Sequence, residues 1–471
     1  MPGSQPTLPE VQPFTPLESV MWHMDSDPSL HSRLVSVVRL SSVPDRAVLR
    51  DRLERISRTV PRFRHRVAAA PLPGLRPHWE LDPHFDMDFH LRVVSLADAA
   101  DPTGEDPVFG FAARVGQDTF HPGRPLWRVY LVTGLPDGGA ALVMKVHHVV
   151  TDGVGGIRMA ALLFDLDETG RAPDELGPMP EVLIPRPRAA ADRFVQGLTQ
   201  EVDQVGGLLN MAYGAVRGGV DPLGTAHTAV ESALAALQLV DLPIGRRGSH
   251  VVSPRDRYVT LHAPLEALKR AGHVGGGKVN DAYLAVLVGG MHRYQERLGA
   301  VTPTLAIGMP VSTRARDHAE HGGNEFASKR FTLPAQISDP AERIAAIRAA
   351  SQRQQNRGSH LVSQTLVQAA SRVPGQVVRN LTGSLVDGLD MNTTNVPGVP
   401  VPLHLGGARI ESFHAFIPRL RAPLSSALIS YAGTANIGLN VDPAAVPDPL
   451  ALTDCIRTEL AEVLTLGGSA I

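Results

Sequence analysis

Residues 145–156 read KVHHVVTDGVGG. Two adjacent imidazoles, His147 and His148, end an apolar, β-branched run, and Asp152 and the glycines Gly153, Gly155 and Gly156 follow. A histidine with a pKa near about 6.5 is neutral around neutral pH and can take a proton from a hydroxyl group. The chemistry offered is therefore general-base catalysis, for instance on an alcohol attacking a thioester. On a strand, neighbouring side chains point to opposite faces, so one imidazole faces a cavity and the other faces the core. Two residues so placed do not share one metal ion simply, and no CxxC or HExxH pattern accompanies them, so no zinc site is expected. No G-x-S-x-G elbow is present either, so direct transfer between two bound substrates is expected rather than an acyl-serine. A backbone or side-chain donor would then have to stabilise the oxyanion. The competing reading makes both histidines hydrogen-bonded residues at a strand end. It suits a lone histidine better than the spaced set H-H-x-x-x-D-G.

The elements around the stretch must present it. "LWRVYLVTG" and "AALVMKVHHVV" flank "LPDGG", which predicts a hairpin around a Pro-Asp-Gly-Gly turn. "GVGGIRMAALLFDLDETG" turns helical directly after, and its glycines permit a sharp turn. The histidines thus lie where a buried strand ends and a helix begins, a place where scaffolds present reactive groups. Upstream, "RLVSVVRLSS" reads as a strand and "VPDRAVLRDRLERISRTV" as a helix with Asp45 at its N-cap. "PRFRHRVA" and "PHWEL" read as short strands, and "FDMDFHLRVV" alternates like a half-buried strand. Downstream, "VNDAYLAVLVGGMHRYQERLG" is a long apolar helix, "TLAIGMPVSTR" a buried strand and "DPAERIAAIRAASQRQQNRG" a helix with a polar face. "GARIESFHAFIP", "LSSALISYAG" and "TANIGLNVD" are late strands. "NTTNVPGVP" reads as a Gly/Pro turn.

With 471 residues the chain exceeds one hydrophobic core, so two domains are the default. The boundaries expected are 1–185, a helical linker over 186–255, and 256–471. The linker begins Pro-rich, and two moderately amphipathic helices lie between 191 and 240. A net charge of −2 argues against a bulk grip on nucleic acid, which is not an expected partner. Of 45 basic residues only Lys145, Lys269, Lys278 and Lys329 are lysine, a bias of GC-rich genomes rather than phosphate recognition. Cys455, the single cysteine, lies in an apolar helix pattern and reads as a buried structural thiol, which fits a reducing cytoplasm. No signal peptide and no transmembrane helix are expected.

The motif H-H-x-x-x-D-G, carried as HHVVTDG, resembles that of acyl-CoA-dependent O-acyltransferases and nonribosomal-peptide condensation domains. "PLESVMW", "PRFRHRV", "FDMDFHL", "PLW" (125–127), "VNDAYLA", "MPVSTR", "GGNEFAS", "TNVPG" and the pair "ISYAG" and "GLNVD" follow, in order, the blocks of the bacterial wax ester synthase/diacylglycerol acyltransferase family. The resemblance runs over nearly the whole chain.

It implies an α/β fold of two chloramphenicol-acetyltransferase-like domains, each a mixed sheet with helices, and a substrate tunnel between them. By motif, His148 is the general base, His147 its structural neighbour, and Asp152 orients the loop that Gly153 continues. Arg314 is the candidate partner of Asp152. Asn280 and Asp281, the N-D motif, support the site from the second domain; Asn280 could equally be an N-cap. Pro125, Leu126 and Trp127 are structural, and Asn395 is a candidate substrate contact. Gly155 departs from the serine many relatives carry there. The implied activity is esterification of diacylglycerol or a long-chain alcohol from acyl-CoA, a co-substrate, with no cofactor. Such apolar substrates imply a cytoplasmic protein attached peripherally to the inner membrane face or to lipid droplets, with the 191–240 helices as candidates for the contact. The alternatives are an acyltransferase taking its acyl group from a carrier protein in polyketide or glycolipid assembly, and a non-catalytic lipid-binding protein.

Overall fold

The computed structural model describes residues 11–68, 76–97, 106–150, 153–168, 179, 181, 252–312, 326–356 and 375–468. The Pro-rich stretch and the two helices expected between 171 and 251 lie outside the described residues, apart from 179 and 181.

The first half opens with β1 (Val11–Pro13) and α1 (Pro16–Met24), whose N-cap Thr15 accepts from Glu18 N–H while the Glu18 carboxylate takes Thr15 N–H at 2.7 Å. Strand β2 (Arg33–Leu40) and helix α2 (Arg46–Thr59) follow. Asp45 caps α2 as expected, accepting from Ala47 and Val48 N–H at 2.7 and 3.3 Å. β4 (His78–Leu81) pairs with β1 on one side and β3 (His65–Ala68) on the other in a small three-stranded sheet. "FDMDFHLRVV" departs from the strand expectation. Asp86 accepts from Asp88 N–H at 2.9 Å, which caps a single helical turn α3 (Met87–His90), and only then does β5 (Leu91–Ser95) begin. A local side-chain cap here overrides the period-2 pattern. "PRFRHRVA" likewise opens with a 3-10 turn at Pro61–Phe63 before its strand. Helix α4 (Pro107–Gln117), the hairpin β6 (Trp127–Thr133) and β7 (Ala140–His147), and helix α5 (Gly153–Leu163) complete this half. The hairpin pairs Trp127 with Val146 through Val132 with Ala141. Positive φ at Gly134 and Gly138 serves its turn.

The second half runs β8 (Arg257–Pro264), α6 (Leu265–Val274), α7 (Val279–Arg297), β9 (Thr304–Ser312), β10 (Phe326–Pro334), α8 (Pro340–Asn356) and α9 (Gly375–Val386). β11 (Met391–Val396), β12 (His404–Leu405), β13 (Ala408–Phe416), β14 (Leu424–Tyr431), β15 (Thr434–Val441) and α10 (Pro449–Leu466) end it. "NTTNV" is therefore strand rather than turn: it pairs in parallel with both β9 and β14, and only the Pro-Gly that follows leaves the sheet. Cys455 is buried on α10, and burial pushes its thiol up from the ordinary range.

Two six-stranded mixed sheets result. One has the order β10-β9-β11-β14-β15-β8, with helices α6, α7, α8 and α10 sharing its core. The other has the order β12-β13-β2-β7-β6-β5, antiparallel except for the β5/β6 edge. Strands β12 and β13 come from the second half of the chain yet complete the sheet of the first. Phe416 at the end of β13 stacks flat on Tyr258 of β8, with ring centroids 4.0 Å apart, which joins the two sheets through a buried aromatic pair.

Candidate active site

β7 is an inner strand between β2 and β6, and its apolar residues are buried over most of its length. His147 is its last residue, opposite Arg33 of β2, and its N–H donates to Leu126 C=O at 3.0 Å. The chain then turns. His148 N–H donates to Ser32 C=O at 2.8 Å, and Val150 N–H donates back to His147 C=O at 2.9 Å. The Pro125-Leu126-Trp127 segment is buried beside this turn. Trp127 Nε1–H donates to Phe63 C=O at 2.9 Å, and its ring stacks on His90 at 4.2 Å. His90 Nδ1–H donates in turn to Trp127 C=O at 2.8 Å. The P-L-W motif thus anchors the strand end that carries the histidines.

The two imidazoles have different surroundings. His147 is 1% exposed, and Trp22 and Phe120 lie against it with ring centroids 5.9 and 6.1 Å away. Its Nδ1 accepts from Val149 N–H at 3.2 Å, which leaves a proton on Nε2, and Nε2 lies 3.4 Å from Asp25 Oδ1. Asp25 follows α1 directly and also accepts from Ser32 N–H at 2.9 Å. Burial opposes its ionisation, but the nearby His147 ring, then Arg33 and the Ser32 amide, outweigh that and hold its carboxyl well below the usual range. His148, by contrast, is half-buried at the start of the turn. Of the pair, it is the more exposed.

Further charges surround the strand end. His31 is pushed down to about 3 by burial and by the neighbouring Arg33 guanidinium, and its Nδ1 accepts from Arg33 N–H at 3.3 Å. Arg33 Nη1 reaches the C=O of Asp118, the C-cap of α4, at 3.3 Å, and Lys145 Nζ donates to the same oxygen. Burial and Arg33 lower the Lys145 ammonium to about 7. Both cations sit at a helix C-terminus, where the dipole favours positive charge, so their placement is accounted for structurally.

In the second half Asn280 and Asp281 open α7. The N-cap is Lys278 and not Asn280. Asp281, buried, takes Lys278 N–H on Oδ2 at 2.8 Å and so closes the helix start. Asn280 instead looks across to β11, where Asn395 Nδ2 donates to its Oδ1 at 3.4 Å. Asn280 Nδ2 lies 3.7 Å from Met309 Sδ of β9. The N-D and TNVPG motifs therefore meet at one point. Asp152 and Arg314 lie outside the described residues, and Gly153 is the first residue of α5. Among the described residues no group of three His, Cys, Asp or Glu side chains is placed to hold a metal ion.

Sequence reasoning missed Asp25, Ser32 and Trp22 as neighbours of the histidine turn. "MDSDPS" looks like any Asp-rich turn, and nothing in its composition says that β2 will lay it against the end of β7.

Comparison with known proteins gives a consistent picture. The profile described as wax ester synthase/diacylglycerol acyltransferase catalytic domain matches residues 14–283, and the WS/DGAT C-terminal domain matches residues 322–463. A Mycobacterium tuberculosis (strain ATCC 25618 / H37Rv) protein, named as a candidate diacylglycerol O-acyltransferase, is 31% identical over 476 residues, covering 99% of this chain and 94% of its own. A second protein of that strain, similarly named, is 27% identical and covers 95% of this chain and 96% of its own. Among solved structures, the wax ester synthase/diacylglycerol acyltransferase of Marinobacter aquaeolei VT8 superposes with a TM-score of 0.65 at 20% identity, covering 97% of this chain and 100% of that one. The first condensation domain of the CDA synthetase superposes at 0.57 with 18% identity, covering 96% of each. These two likenesses bear on the fold, the paired mixed α/β sheets described above. Taken with the profile matches across both halves of the chain, the comparisons place the protein in the wax ester synthase/diacylglycerol acyltransferase family of O-acyltransferases.

Proposed function

We propose that the chain transfers the acyl group of acyl-CoA to the hydroxyl of diacylglycerol, of a long-chain alcohol, or of both, with His148 as general base and no acyl-enzyme. The observation that carries this reading is the division of labour at the end of β7. One imidazole is locked and buried, and the next is half-exposed on a turn held by three backbone hydrogen bonds. His148 takes the proton as the alcohol oxygen attacks the thioester carbon. The C–O bond forms, the C–S bond breaks, and the proton passes to the leaving CoA thiolate. In this reading Asp152, with Arg314 as its candidate partner, orients the loop, and Asn280, Asp281 and Asn395 support the site from the second half. Among the described residues no helix is long and apolar enough to cross a membrane. Peripheral attachment to a membrane or lipid-droplet surface belongs to this reading because both acceptors partition there.

The test is acyl transfer from labelled palmitoyl-CoA to diacylglycerol and, separately, to hexadecanol. Ester should form with at least one acceptor and fall by about 10²–10⁴-fold in His148→Ala, the usual contribution of a general base. The ratio of products identifies the acceptor. Folded protein that makes no ester from either acceptor would overturn the reading and direct attention to carrier-protein donors.

A further inference from the structure

The segment between α1 and β2 has two neighbours that are far apart in the sequence. On one side it touches the histidine turn. Asp25 Oδ1 accepts from Ser32 N–H and faces His147 Nε2–H, and Ser32 C=O takes the His148 amide. On the other side it is held by the second half of the chain. Arg421 donates from Nη2 to Asp27 at 2.8 Å and from Nε to Ser29 Oγ at 3.0 Å, and its own N–H donates to Ser29 C=O at 3.2 Å. Arg421 does this from the left-handed region, at φ 65, next to Leu420 at φ 49. Two consecutive non-glycine residues there are strained, so the surrounding contacts must over-determine the turn.

We propose that Asp25 is a positioning residue for the reaction: its carboxylate fixes the His147 ring and, through Ser32, the backbone that carries His148, so that the base is presented in one orientation. This rests on the reading of His148 given above. The same oxygen serves both contacts, because Oδ1 receives the Ser32 amide and faces His147 Nε2. With its Nε2 proton toward Asp25, His147 keeps Nδ1 free to accept from Val149 N–H. The amides of His148, Val149 and Val150 are then all held. The requirement is for an acceptor oxygen at that place rather than for a charge.

Two conservative variants separate those needs. Asp25→Asn keeps an acceptor oxygen in place without the charge, whereas Asp25→Glu keeps the charge and moves the oxygen by one methylene. In the full-length protein, under the ester-forming assay, Asp25→Asn should retain kcat within about threefold. Asp25→Glu should lose up to about a hundredfold in kcat with KM little changed, the scale of a misplacement of about 1 Å. Hydrogen exchange of a peptide spanning residues 146–151 should be as slow in Asp25→Asn as in the native protein and faster in Asp25→Glu. The reverse order of the two variants, equal activity in both, or a change confined to KM would overturn the proposal. The exchange measurement needs no turnover. A native protein that forms no ester would therefore sink the functional reading, while an unchanged exchange pattern in Asp25→Glu would sink this one.

Discussion

Burial separates the two adjacent histidines, His147 at the end of β7 and His148 in the turn that follows. The buried, structural character of Trp127 was legible in the sequence. The expectation that both histidines sit on one strand and face opposite ways is not met, because the strand ends at His147 and His148 lies in the turn, where period 2 no longer applies. Legibility stopped at partners: nothing local ties Asp25 to His147, or His90 to Trp127. The His90 pair offers a quantitative check. Burial lowers the His90 imidazole to about 4, although its bond to Trp127 C=O works the other way. Between about 4 and the ordinary 6.5 the unfolded chain binds the proton and the folded chain does not, so acid draws the equilibrium toward unfolding and stability rises with pH through that window. Glu18, Asp165 and Asp256, raised chiefly by burial, act in the opposite sense at the acid end, so the group is best read by difference. In His90→Asn, with the donor to Trp127 C=O kept, the slope of unfolding free energy against pH from 4 to 6.5 should drop by up to about 1.4 kcal/mol per pH unit. Urea titrations at several pH values measure it, and an unchanged slope would show that His90 does not titrate in that window.

At the scale of elements, capping and turn chemistry were the most readable features. Asp45 caps α2, and the LPDGG segment closes the hairpin, for reasons contained within a few residues. The failures share one cause. "FDMDFHL" alternates in sequence, but the Asp86 cap makes a helical turn of it. "NTTNV" looks like a turn, but two neighbouring strands recruit it into a parallel sheet. Neither neighbour of β11 is adjacent to it in the chain, so no local pattern could announce the pairing. Strand crossing sets a further requirement. Gly438 of β15 lies so close to β13 that an added Cβ would press well inside contact distance on the Ala415 carbonyl oxygen, a backbone atom that cannot swing aside. Gly438→Ala should therefore destabilise the protein by about 1–3 kcal/mol, read from the midpoint of chemical unfolding. An equal loss is not expected at Gly433, whose added Cβ meets nothing, beyond the strain of its positive φ.

At the scale of the molecule, the sheet that carries the histidines is assembled from both ends of the chain. β13 pairs with β2 from Phe416 opposite Val35 to Ile410 opposite Leu40, and the Asp165 backbone forms an isolated bridge with His404 of β12. Without them β2 would become an edge strand, with unpaired backbone groups beside apolar core. A fragment of residues 1–255 should accordingly aggregate or remain unfolded when produced alone. Adding residues 256–471 in trans should restore some soluble protein, which size-exclusion chromatography and far-UV circular dichroism would detect. A soluble, cooperatively folding 1–255 fragment would show that the two halves are independent.

By itself the sequence determined the chemistry on offer and its local presentation: the H-H-x-x-x-D-G set, the hairpin strand that leads to it, the caps and most of the elements. Those features depend on residues a few positions apart, and backbone geometry converts short spacings into directions. Only the tertiary structure decided which histidine is locked and which is open, that Asn280 meets Asn395, and that Asp25 stands at the ring of His147 while Arg421 grips the same segment from the second half. These are long-range contacts made when two sheets close on one another. Their specificity lies in packing and burial, which a linear pattern of residue types does not encode one position at a time.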